Sequence, residues 1–107
     1  MEAKELRIGN YLIHDGYFIK SYSVDGFINV IKNIDNYEPI PLTEEWLVKF
    51  GFNKLEGWDD MYYFQIGDFQ IYEYNVSGYE FDGFGIKHVH QLQNLYFALT
   101  NEELTIK

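Results

Sequence analysis

His88 and His90 are the first residues whose type and spacing could do chemistry. Two imidazoles two positions apart lie on one side of an extended strand, where they could share a metal ion. The stretch that follows them has the pattern of a helix, and on a helix positions i and i+2 point about 200° apart. A zinc site also needs a third and usually a fourth ligand, and the sequence specifies none. The pair is therefore read as helix-entry or surface histidines, and no metal is expected. Asp59-Asp60 and the Asp-Gly steps could supply paired carboxylates, but glycoside or phosphoester chemistry needs two carboxyl groups held about 5 to 10 Å apart in a cleft. Aspartate in these contexts is better explained as a turn former. No run spaces oxygen ligands as a calcium-binding EF-hand does.

The glycines are scattered. None completes a GxGxxG or GxxxxGK[ST] phosphate cradle, and there is no GxSxG nucleophile elbow. The absence of cysteine removes disulfides, thiolate zinc sites, iron–sulfur ligation and a cysteine nucleophile together. No catalytic residue and no cofactor is assigned.

Seventeen acidic against eight basic residues give a net charge of −9, which disfavours phosphate backbones and anionic membranes. The imbalance is local as well. Between Lys54 and Lys87 there is no basic residue, while Glu56, Asp59, Asp60, Asp68, Glu73, Glu80 and Asp82 fall there, interleaved with Trp58, Tyr62, Tyr72, Tyr74 and other aromatics. Tyrosines stack nucleic-acid bases in basic grooves, and this stretch lacks the charge, so direct nucleic-acid binding is not expected. Abundant tyrosine does suit a protein interface, and a non-enzymatic protein-binding role is the leading expectation. Two alternatives stand beside it. The acidic region 55–86 could imitate a nucleic-acid backbone on a host enzyme, or a pocket between two β-meanders, lined by Tyr and Trp, could hold a small ligand or substrate.

At 107 residues, 47% hydrophobic and 20% aromatic, the chain can bury one core, and a single α+β domain over 1–107 is expected. Asp15-Gly16 and Asp25-Gly26 read as hairpin turns and predict a three-stranded meander over 10–14, 17–23 and 27–32. Its apolar residues fall on both faces, so it should be covered on both sides, as in an SH3-like half-barrel. Thr43 is a good N-cap for a short helix over 44–50, and Gly51 suits the left-handed position that ends it, with Phe52 folding back on Leu47. A second meander follows over 61–66, 69–74, 79–81 and 84–86. Lobes 1–38 and 53–107 could thus be joined by the helix 43–50.

The last helix, 89–99, places Val89, Leu92, Leu95, Tyr96 and Leu99 in one apolar arc. Phe97 lies about 80° from Val89, beside His90, Gln93 and Asn94. An aromatic among polar groups is a candidate contact patch, unless a neighbouring hairpin covers it. Residues 104–107 could add an edge strand. The candidate interaction surface is therefore His90, Gln93, Asn94 and Phe97 on the helix with Tyr62, Tyr72 and Tyr74 on the second meander.

Three stretches, Leu6-Arg7-Ile8-Gly9-Asn10-Tyr11, PIPLTEEWLVKFGF (39–52) and HVHQLQNLYFALTNEEL (88–104), resemble a set of small proteins of no established function encoded in Bacteroidetes genomes and in their phages and mobile elements. The resemblance implies a bacterial or phage setting, a shared fold and a cytoplasmic location. It implies no activity and no site residues. The N-terminus shows no apolar signal region, and no apolar run approaches the roughly 18 residues that span a bilayer.

Overall fold

The computed structural model describes residues 1–57, 61–74 and 78–107, with the side chain of Tyr74 excepted. Trp58, the Asp59-Asp60 turn and the Tyr74 side chain, all singled out in the sequence, lie outside the described residues. The class is α+β: two antiparallel sheets, of two and five strands, with three helices. Among the described residues no helix is long and apolar enough to cross a membrane.

The first sheet is the hairpin β1 (Tyr11–His14) and β2 (Tyr17–Lys20). Asp15 and Gly16, with φ of 50° and 80°, make the tight turn that the sequence predicts. The third strand of that meander does not form. Residues from Val24 to Lys32 are instead the helix α1, so the half-barrel reading is corrected to a hairpin with a helix against it. The Asp25-Gly26 step is the first turn of α1, where the Ser23 hydroxyl accepts from the Gly26 N–H at 3.1 Å. A second signal was present in the spacing. Phe27, Val30 and Ile31 recur at helical intervals, and they pack against Leu6, Leu12 and Ile19 in a small apolar cluster.

Strand β1 packs on both of its faces, whereas β2 leaves Tyr17 and Phe18 exposed. Leu12 and its register partner Ile19 face the α1 cluster, whereas Tyr11 and Ile13 face the larger core. That core lies between the five-stranded sheet and two helices. The sheet runs in sequence order as β3 (Asn53–Glu56), β4 (Tyr62–Ile66), β5 (Phe69–Tyr74), β6 (Gly78–Phe81) and β7 (Phe84–Ile86). The strand β3 was not foreseen, because NKLE is polar and exposed throughout. Phe64, Phe69, Ile71 and Ile86 from the sheet meet Trp46 and Leu47 from α2 (Glu44–Lys49), its C-cap Phe50, and Val89, Leu92 and Tyr96 from α3 (Val89–Thr100). The two clusters side by side give the molecule extents of 45 × 27 × 23 Å.

The ends of α2 form as read from the sequence. Thr43 caps the Trp46 N–H, Gly51 takes φ of +92°, and the N–H groups of Gly51 and Phe52 return to the Val48 and Leu47 carbonyls at 3.0 Å each. Residues 104–107 are not a strand. Leu104 is buried in the main core and the Lys107 N–H bonds the Lys49 carbonyl at 2.8 Å, so the chain closes over the end of α2.

Replacing Ser23 by alanine removes the α1 cap and is expected to lower stability by about 1 kcal/mol in urea denaturation. An unchanged midpoint would mean that this segment does not depend on a helical N-terminus.

Candidate functional site

Four of the sequence-derived candidates come together, and the chain itself occupies them. The segment preceding β1 lies along α3. Arg7 to Asn10 form a turn, with the Asn10 N–H on the Arg7 carbonyl at 3.1 Å and Gly9 at φ of +96°, a conformation a side chain would strain. Gln93, fully buried, uses both ends of its amide on this segment: its oxygen accepts from the Tyr11 N–H at 2.8 Å and its nitrogen donates to the Gly9 carbonyl at 2.9 Å. Asn94 donates to the Glu5 carbonyl at 2.7 Å and accepts from the Asn10 side chain at 2.8 Å. Arg7 sits 4.2 Å over the Phe97 ring and forks onto Glu103 at 2.7 and 3.3 Å.

Phe97 is thus partly covered, with Arg7 lying over its ring. Gln93 and His90 are interior residues, which corrects their placement on an accessible polar face. The polar side chains of α3 exist to satisfy backbone groups that the N-terminal segment would otherwise bury unpaired, at roughly 1–3 kcal/mol each.

His90 is 1% exposed, and neither of its ring nitrogens has a hydrogen-bond partner among the described residues. Its Nε2 lies 3.7 Å from the Glu5 carboxylate and its ring stacks on His88 at 5.7 Å. Burial pushes the imidazole below its ordinary range, against the pull of Glu5. The Glu5 carboxyl is lowered chiefly because it accepts the Glu2 backbone N–H at 2.6 Å, with His90 adding to the effect. Among the described residues no three metal-ligating side chains converge here or elsewhere.

On the five-stranded sheet Tyr62 and Tyr72 lie on opposite faces, since Tyr72 pairs with Tyr63. Tyr62 lies under the Lys54 ammonium at 4.2 Å, and Lys54 in turn pairs with Glu44 at 2.6 Å, which raises the lysine's pKa. Tyr79 stands opposite Glu73, and burial first, then that carboxylate, pushes its phenol up to about 12. The five described carboxylates of the acidic region do not share a face. Glu73 and Glu80 point to opposite sides of the sheet, and Asp68 and Asp82 occupy turns. A cavity of about 390 Å³ opens where the β4–β5 turn meets the end of α3. It is lined by Phe69, Phe81 and Tyr96 with Asp68 and Glu102, and so belongs to the second sheet rather than to a seam between two meanders.

Sequence reading missed a different surface. Of the large apolar side chains that stand exposed, Tyr17 (74%), Phe18 (55%), Tyr22 (83%), Val24 and Ile28 fall within one short segment on β2 and the start of α1. The helical reading of 24–32 would have exposed part of it, because Ile28 lies about 100° from the inward-facing Phe27. Comparison of the chain with protein-family models, curated proteins and solved structures finds no match.

The His90 environment sets a pH dependence. The unfolded imidazole takes up a proton near 6.5 and the folded one only at lower pH, so in that window the unfolded state binds more protons and acid destabilises the fold. Lowering pH from about 7.5 to about 5 should reduce the thermal midpoint, and His90→Leu should flatten that fall. The Glu5 contribution is lost separately, only below the ordinary 4.5 of its carboxyl. An equal fall in both proteins would assign the titration to another group.

Proposed function

We propose that this protein is a non-enzymatic protein-binding factor whose contact surface is the aromatic segment Tyr17, Phe18 and Tyr22, extended by Val24 and Ile28 on α1. The supporting observation is their joint exposure within twelve residues of chain, whereas the other exposed large apolar side chains, Phe84 and Leu99 among them, are scattered along the sequence. Tyrosine and phenylalanine bring large contact area at low cost in side-chain entropy, and exposed aromatic side chains close together in the chain suit a partner site, although Tyr17 and Phe18 stand on opposite faces of the hairpin. The resemblance of three stretches to Bacteroidetes and phage proteins supports an accessory role in a mobile element or phage. The α3 face around Phe97 is left out of this surface because Arg7 and the N-terminal segment cover it. No arrangement of the described carboxylates favours nucleic-acid mimicry, since they divide between two faces and the turns.

The test is affinity purification of the tagged chain from lysate of a Bacteroidetes host, beside the variant carrying Tyr17→Ser, Phe18→Ser and Tyr22→Ser. One protein should be retained in near-stoichiometric amount by the wild type and lost from the variant, whose thermal midpoint should shift by only a few degrees. Recovery of no partner by a strictly monomeric wild type, or equal recovery by the variant, would contradict the reading.

A further inference from the structure

We infer that the outer edge of β2 is a docking site for an extended acidic peptide segment, which adds to the β1–β2 hairpin as a third strand. This rests on the protein-binding reading above and names the partner's chemistry.

The backbone supplies the first reason. Ile13 directs both its backbone groups away from β2, exchanging two hydrogen bonds of 2.8 Å with Glu38 on the far side of β1. Its register partner is Phe18, and in an antiparallel pair opposed residues both point inward or both point outward. Phe18, and by the two-residue period Lys20, therefore aim N–H and C=O out of the hairpin, where no described residue bonds them. Strand addition consumes groups of this kind, with main-chain bonds supplying affinity and alternate side chains supplying specificity.

The outer edge of β1 is taken by Glu38, and the chain just past β7 is tied to the 40–42 segment by the Leu42 N–H on the Lys87 carbonyl and a bridge from Pro41 to His88, while β7 itself shows Phe84 to solvent and, unlike β2, carries no lysine. The edge strand β3 carries Lys54 and Glu56, the charged side chains by which edges resist pairing. The strand β2 instead shows Tyr17 and Phe18 to solvent.

Charge selects the partner. Phe18 and Lys20 share one face of the hairpin, the face that meets α2, where Phe18 lies edge-on to Trp46 at 5.1 Å and the Lys49 ammonium lies 5.6 Å from the Phe18 ring. Lys20 is held over Tyr11 and Tyr22 at 5.2 and 5.4 Å and, among the described residues, has no carboxylate partner. Lys49 has one, Glu45 at 3.5 Å. Asp15 sits at the hairpin tip, the opposite end of β2 from Lys20. A strand laid along β2 thus passes near two lysines anchored on aromatic rings, Lys49 beside Phe18 and Lys20 leaning inward over Tyr11, in a molecule of net charge −9.

Backbone-amide NMR of the whole chain tests this with an octapeptide alternating valine and glutamate, against one alternating valine and lysine. The acidic peptide should give saturable shifts at Phe18, Lys20 and Lys49, and should bind about tenfold or more tightly than the basic one. Lys20→Glu should reverse that preference, with Lys20→Gln giving an intermediate loss should the charge reversal disturb folding. No shift at these amides with the acidic peptide at millimolar concentration, or equal shifts with both peptides, would overturn the proposal. Concentration-dependent shifts at the same amides without peptide would assign the edge to a second copy and also overturn it. Should the host partner be captured through Tyr17, Phe18 and Tyr22 while the peptide fails, the protein-binding reading stands and strand addition alone falls.

Discussion

A primary amide cannot be buried unless both its ends are bonded, and in this protein the amide of Gln93 is buried completely. The Gly9 carbonyl and the Tyr11 N–H satisfy it, so Gln93 acts on the N-terminal segment as a residue of a neighbouring strand would. The order of consequences runs outward from there. Holding Tyr11 in register starts β1 beside α3. The inward faces of β1 then contribute Tyr11 and Ile13 to the main core and Leu12 to the α1 cluster. Asn94, Asn10 and the Arg7–Glu103 pair continue the joint toward solvent. That ion pair is partly exposed and by itself contributes no more than about 1 kcal/mol, so the buried amides carry the specificity.

The three stretches singled out in the sequence acquire a physical meaning in this light. Residues 6–11 and 88–104 are the two sides of the joint, and 39–52 holds α2 and the segment that bonds to Lys87 and Val89. These contacts are packing within one fold, and the exposed aromatic residues of β2 and the loop before α1 lie outside them.

What could be read from sequence depended on whether the signal was local. The ends of α2, the Asp15-Gly16 turn and the β4–β5 hairpin are fixed by residues within a few positions of one another, and all three form as read. The α1 segment failed because two local signals conflict. Val and Ile with Asp-Gly favour a hairpin, while the Ser23 cap and the spacing of Phe27, Val30 and Ile31 favour a helix, and packing against Leu6 and Leu12 decides between them. The polar face of α3 was visible, but its use was not. Gln93 and Asn94 look like surface residues until residues more than eighty positions away are laid against them. The exposed aromatics of β2 were hidden by the same error, since a third strand would have covered the edge that α1 leaves open.

Hydrogen exchange at the Tyr11 amide is the most direct measure of the joint, because that one N–H reports whether the Gln93 contact opens apart from the rest of the fold. Its exchange is expected to be as slow as that of Phe64 and Ile71 in the main core, proceeding only through global unfolding. Exchange at the rate of the exposed Tyr22 amide would show that the N-terminal segment detaches freely, and would contradict an architecture built on the buried amide.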